Sequence, residues 1–465
     1  MAGISGAGVE AEFEGAELGD RRRVRRLVQL AQALDEKPDA SYPDATMTDA
    51  GLEGAYRLLS NEAVTADAIL AGHYEQTVQR ATQEPYVIAV HDTTNFEFSG
   101  EASREGLGPM RGKGQGFFGH FTLLVAPGEL RRPLGVIALQ TVVRKSRRGQ
   151  PKLKGGEGGE AIRWQRGVEL TEQRLKSASA VIHVTDREGD SYELWAAIIA
   201  TGHRFAIRSR FNRVLAGEDG RYLRDALAEA VTVVERAVTL SPRRKEKLAS
   251  NQRIHPARAG RLARLALSAT TVEIKRPLQV GEDLPATLRL NIVRAVEVET
   301  HGENEPVEWT IATTEPIATP ADLERVVDIY RARWVIEEYF KAIKTGCAYE
   351  KRQLESMHSL LNGLAIFVPI AWRLLLLRTL SRDSADEPAT AALTPTQLAV
   401  LAATSKNALP PNPTVRQAML AVARLGGHIK NNGDPGWAVL GRGFHKLLAR
   451  EEGWIAAMSA RSDQS

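Results

Sequence analysis

The chain has 465 residues, 43% of them hydrophobic and 25% charged, with a formal net charge of +4. That length predicts two or three domains, each with its own core, and the composition excludes a disordered, collagen-like or low-complexity chain. The one cysteine, Cys347, excludes an internal disulfide framework and a cysteine-cluster zinc site, and suits a reducing cytoplasm.

From about residue 11 to 78 the pattern is helical. Ala11 to Ala33, Asp49 to Leu59 and Ala66 to Gln79 carry apolar residues at helical spacing, with Pro38 and Pro43 between the first two. Arg21, Arg22, Arg23, Arg25 and Arg26 form a basic cluster in the first. Two more basic runs follow, Arg144 to Lys154 and Arg243 to Arg264, and such runs neutralise phosphates or line solvated faces. No charged-then-apolar leader opens the chain, so a signal peptide is not expected.

The middle of the chain changes texture. Tyr86 to Val90 is a short apolar strand ending in His91-Asp92. Phe117 to Val125 and Leu134 to Val143 read as antiparallel neighbours around the turn residues Pro127 and Gly128. Glu160 to Leu175 is helical, Ala180 to Thr185 is a buried strand ending in Asp186, and Arg204 to Arg208 is one more strand. Three strands, helix, strand, helix, strand is the order of a ribonuclease-H-like α/β fold. Leu262 to Ile274 and Leu288 to Val298 alternate as half-exposed strands, predicting a β-rich insertion over about 213–308. A long helix is expected from Pro320 to Lys344, capped by Thr319. Leu360 to Leu377, interrupted by Asn362, Pro369 and Arg373, reads as a buried helix and not a membrane span. A linker over Ser381 to Pro395 precedes a last helical unit. The expected domains are therefore a helical DNA-binding unit at 1–78, a catalytic domain at 79–380 and a C-terminal helical unit at 381–465.

Asp92 and Asp186 are each expected at the C-terminal end of an apolar strand, where ligand sites of α/β sheets are built. Two such carboxylates suit a hard divalent cation, although an Asp there also starts turns. On the long helix Tyr330, Arg333, Glu337, Lys341 and Lys344 would share an arc of roughly 80°. That face presents one acid and three cations; the alternative is a charged outer face of i to i+4 pairs. A P-loop around Gly108 to Gly116 is rejected, because Leu107 stands where glycine is needed and Gly114 follows Lys113 in place of Ser or Thr.

The spacing Tyr330-x2-Arg333-x3-Glu337-x6-Lys344 resembles the YREK signature of DDE transposases of the insertion-sequence-four family. YRARWVIEEYFKAIKTG as a whole is similar to the transposon-five type, and GDRRRVRRLVQLA, EGAYRLLSN, HDTTNFEF, DREGDSYEL, RFAIRSR, WTIATTEP and ARLGGHIKNNGDPGWAVLGRG follow in the same order. The resemblance spans about residues 15–447. It implies that Asp92, Asp186 and Glu337 bind Mg²⁺, with Mn²⁺ able to substitute. It also implies that Tyr330, Arg333, Lys341 and Lys344 hold the DNA backbone and a flipped base, that Trp309 fills the space that base leaves, and that Arg208 lies near the reacting phosphates. The N-terminal arginines match the region that grips the element's end. The Lys- and Gly-rich tract from Arg147 to Gly159 departs from the pattern.

The implied activity is cut-and-paste transposition by nicking, hairpin formation and resolution, and strand transfer. The implied substrates are double-stranded inverted repeats and target DNA, and the implied assembly is a homodimer through the C-terminal helices. The protein would be cytoplasmic, bound to the nucleoid when on DNA and to no membrane. Two other readings share these residues: a regulator that binds DNA without cutting, and a general nuclease that cuts without end sequences or strand joining.

Overall fold

The computed structural model describes residues 8–99, 103–110, 114–144, 162–176, 179–217, 220–240, 259–298, 306–383, 386–405, 408–429 and 435–462. Most of the second and third basic runs lies outside these residues, as does the tract from Arg147 to Gly159. The chain divides into two compact units, one of residues 1–87, 92–179 and 334–465, the other of 88–91 and 180–333.

The larger unit opens on a 3₁₀ turn, Val9–Glu12, then helices α1 (Arg21–Glu36), α2 (Tyr42–Thr46), α3 (Asp49–Ser60) and α4 (Ala66–Ala81). The expected first helix from Ala11 starts ten residues later, at Arg21. Gly19 takes a φ of +69°, which ends any continuous helix, and the Asp20 side chain accepts from the Arg22 amide at 2.8 Å to cap the new start. Ser41, Thr48 and Thr65 cap the next three helices in the same way. The antiparallel strands β3 (Gln115–Val125) and β4 (Pro133–Val142) follow, turned at Gly128 with φ +96°, as the sequence predicts. A two-residue strand β2 (Gly108–Pro109) also pairs antiparallel with β3, at Gln115 and Gly116.

Strand β1 (Val87–Phe98) corrects a sequence expectation. It runs six residues beyond Asp92, so that aspartate stands mid-strand and not at a strand end. Phe96 and Phe98 keep the strand going: both are buried, with ring centroids 5.0 and 5.7 Å from Tyr349. The core helix α10 (Met357–Asp383) is long and apolar enough to cross a membrane, yet 94% of its apolar window is buried inside the protein. Beyond it the expected linker is partly packed, since Ala389, Ala392 and Leu393 are buried ahead of α11 (Pro395–Thr404), α12 (Val415–Leu425) and α13 (Trp437–Ser462).

The smaller unit orders its strands as residues 88–91 of β1, β5 (Val181–Thr185), β6 (Arg204–Arg208), β10 (Glu308–Thr313), β9 (Thr287–Glu297), β8 (Arg261–Lys275) and β7 (Thr232–Leu240). β5 and β6 are parallel, and the pairs from β6 to β7 are antiparallel. The β-rich insertion thus extends the sheet of this unit. Helix α8 (Pro320–Arg331) is fixed to it: Arg236 on β7 donates to the Asp328 carboxylate at 2.8 Å and to the Glu324 carbonyl at 3.2 Å.

Candidate active site

In the smaller unit the strand register gathers several of the predicted residues at one sheet edge. Thr185 pairs with Ile207, so Asp186 and Arg208 follow at matched positions where parallel β5 and β6 end. Ile311 of antiparallel β10 pairs with Arg208, which sets Trp309 two residues past that level on the same edge. Asp186 is half-buried, and its Oδ1 accepts from the Glu188 amide at 2.8 Å. Arg208 donates to the Glu308 carbonyl at 2.9 Å and has the Tyr330 phenol beside it. Burial pushes its guanidinium below the ordinary value, and the neighbouring Arg187 and Arg333 press the same way. Trp309 and Tyr330 are both buried, their ring centroids 5.9 Å apart and tilted by 59°.

The long helix expected from Pro320 to Lys344 does not run unbroken. Thr319 caps α8 as predicted, its Oγ1 accepting from the Asp322 amide at 3.2 Å. The last turn then tightens, with Ala332 and Arg333 amides donating to the Ile329 and Tyr330 carbonyls at 3.1 Å. A new helix α9 spans Trp334–Lys341, and a π-helical turn follows at Ala342–Gly346. No Gly or Pro marks either break, so the sequence held no signal for it. The five polar residues therefore do not lie on one uninterrupted helical face. Arg333 is buried at the end of the first piece.

In the larger unit Asp92 is half-buried, with Oδ1 accepting from the Thr93 amide at 2.7 Å. Thr93 Oγ1 lies 2.9 Å from His120 Nδ1 and accepts from Arg163 Nε at 2.9 Å. Burial, reinforced by Arg163, pushes His120 down to about 3, so the imidazole beside Thr93 is neutral. Arg163, beside the residue that follows Asp92, is a cation the sequence reading did not single out. Glu337 is half-buried on α9 between buried Ile336 and Tyr339. Lys341 is exposed and paired with Glu338. Lys344 donates to Asn95 Oδ1 at 3.3 Å and lies 3.9 Å from Glu350, and burial lowers its pKa. Of the N-terminal cluster, Arg21, Arg22, Arg25 and Arg26 are exposed, while Arg23 is half-buried and donates to the Leu18 carbonyl at 3.1 Å.

Among the described residues no group of three or more His, Cys, Asp or Glu side chains stands ready to hold a metal ion. Asp92 and Glu337 belong to one compact unit and Asp186 to the other. Each of the three is a half-exposed carboxylate, a donor type that suits a hard cation.

Two family models match the chain. Residues 6–64 match a transposase DNA-binding domain, and residues 148–366 match a transposase DDE domain. Together they span more than half of its length. The chain belongs to the DDE transposases. Its DDE domain implies a ribonuclease-H-like core, in keeping with the expected α/β class, and domains of this kind generally use divalent metal ions. That match includes Asp186 and Glu337 and begins after Asp92. Among solved structures, a piggyBac transposase synaptic complex with hairpin DNA is similar at 9% identity and a TM-score of 0.35, over 80% of this chain and 72% of that one.

Proposed function

We propose that this transposase carries out cut-and-paste transposition of the insertion-sequence-four, transposon-five type, nicking an element's end, forming and opening a hairpin, and joining the freed 3′-OH to target DNA. The observation that carries this reading is the edge of the smaller unit, where Asp186, Arg208, Trp309 and Tyr330 gather. All four belong to motifs that resemble that family.

Asp92, Asp186 and Glu337 would hold Mg²⁺, or Mn²⁺ in its place. Bound there, the metal supplies Lewis-acid stabilisation of charge on the phosphodiester oxygens. Arg208, Arg333, Lys341 and Lys344 hold the flanking phosphates, and the exposed Arg21, Arg22, Arg25 and Arg26 grip the element's double-stranded inverted repeat. Tyr330 would help hold an extruded base and Trp309 would fill the space that base leaves, offsetting part of an unstacking cost of about a few kcal/mol. A homodimer on paired ends is supported by α13, whose last turns expose Trp454, Ile455 and Met458.

The test is Mg²⁺-dependent nicking of the inverted repeat flanking the gene. Asp92→Ala, Asp186→Ala and Glu337→Ala should each abolish cleavage while end binding persists; full activity in any one removes that residue from the triad. Trp309→Phe, which keeps the buried site filled, should slow hairpin formation more than the first nick. End binding by the wild type without cleavage would return the regulator reading, and cleavage independent of end sequence without joining would return the nuclease.

A further inference from the structure

The segment after Arg208 in the smaller unit is pinned at nearly every residue but leaves an aromatic ring in solvent. The Ser209 amide donates to the Thr310 carbonyl at 2.7 Å. Ser209 Oγ and the Arg210 and Phe211 amides all donate to one oxygen of Asp190, the Phe211 bond at 3.1 Å. Asn212 Oδ1 accepts from the Arg224 amide at 2.9 Å, and the Arg213 carbonyl accepts from Leu223 at 2.8 Å. The Arg213 guanidinium pairs with the other Asp190 oxygen and lies 4.2 Å from the Trp195 ring centroid. Asp190 and Arg213 are 4% and 8% exposed, so the anchor is a buried ion pair with further hydrogen bonds.

Against that rigidity, Phe211 is 52% exposed, with the Arg210 guanidinium 5.4 Å from its ring centroid. An ordered loop that holds a ring in water forgoes the burial that ring could have found. Its setting is cationic, with exposed Arg210 beside it and Arg208 three residues before. We infer that Arg210 and Phe211 form a stacking site for an unpaired DNA base, with Phe211 meeting the base face, Arg210 meeting its phosphate, and Asp190 acting as the positioning residue that presents both. This rests on the reading of the chain as a transposase for the nature of the ligand. Preorganisation is what makes it a site, because a pinned loop loses little entropy when the base docks.

The full chain, in EDTA, would be titrated by fluorescence anisotropy with two synthetic duplexes of one sequence, one fully paired and one with a single extrahelical adenine. The wild type should favour the bulged duplex. Phe211→Ala should cut that preference about tenfold, with affinity for the paired duplex unchanged, and Phe211→Trp should retain it. Equal wild-type affinity for both duplexes, or a full preference in Phe211→Ala, overturns the inference. Neither outcome depends on catalysis, so a failure here is distinct from a failure of the Mg²⁺-dependent nicking assay.

Discussion

Two charged regions of this molecule are built on opposite principles. In the larger unit, Glu12 is buried at 4% exposure and enclosed by opposite charge and donors. Arg80 donates to it at 2.7 Å, and His73 Nδ1 bonds its other oxygen. The Val136 amide donates to His73 Nε2 at 3.1 Å, which fixes the tautomer: Nδ1 carries the proton and the ring is neutral. Arg80 also stacks 3.9 Å from the Trp372 ring centroid. At the sheet edge of the smaller unit, by contrast, Arg208 is bonded to a carbonyl, lies beside a phenol and has Arg187 and Arg333 for neighbours. The first arrangement ties the N-terminal segment to α4 and β4. The second keeps like charges together, an arrangement that a polyanion relieves. Buried opposite charges tie the chain to itself, whereas gathered like charges are the feature on which the proposed DNA contact rests.

That contrast can be broken or sharpened experimentally. The largest expected effect is Asp186→Ala, which should remove cleavage altogether while leaving the urea midpoint nearly unmoved, because the side chain is half-exposed at a sheet edge. A large loss of stability there would mean that the edge is structural. Glu12→Gln should do the reverse, lowering unfolding free energy by about 3 kcal/mol in urea titrations, since it removes a buried carboxylate and leaves half-buried Arg80 without its counter-charge.

Acid should act on the same network. Glu12 is held down at about 2 against an ordinary 4.5; burial opposes this, but its hydrogen bond with His73 and its bonds and charge with Arg80 prevail. Its contribution is therefore complete above pH 4.5 and is lost as pH falls toward 2. Burial also lowers His73, so the stability of its neutral form is complete above 6.5 and declines below it. Thermal melts should thus fall in wild type from pH 6.5 downward, and the decline between 4.5 and 2 should be shallower in Glu12→Gln. Identical acid profiles would exclude Glu12 as the titrating group. The smallest effect is Arg208→Ala: DNA affinity should drop, the slope of log affinity against log salt should decrease by about one, and stability should stay unchanged. An unaltered slope would show that Arg208 meets no phosphate.

Much of the fold was legible because it is written locally. Asp186 directly follows β5, the β3–β4 hairpin turns at Gly128, and Thr319 caps α8, each within a few residues of the pattern that signals it. Asp92 was misplaced because a Thr-Thr-Asn stretch reads as a turn, whereas buried Phe96 and Phe98, packing against Tyr349 some 250 positions away, hold it as strand. The break after Arg331 had no Gly or Pro to announce it. Asp190 stood in the quoted DREGD motif without a role, since its partners, Ser209 to Arg213, lie about twenty residues on and meet it only through the β5–β6 register.

By itself, the sequence determined the order of helices and strands, their caps, and the ordered motifs that resemble one transposase family, all properties of neighbouring residues or of spacing. Only the tertiary structure decided which of those residues are buried, where strand β1 ends, and that Arg208, Tyr330 and Trp309 share an edge. Those outcomes depend on strand register and on partners distant in the chain. No local periodicity encodes them.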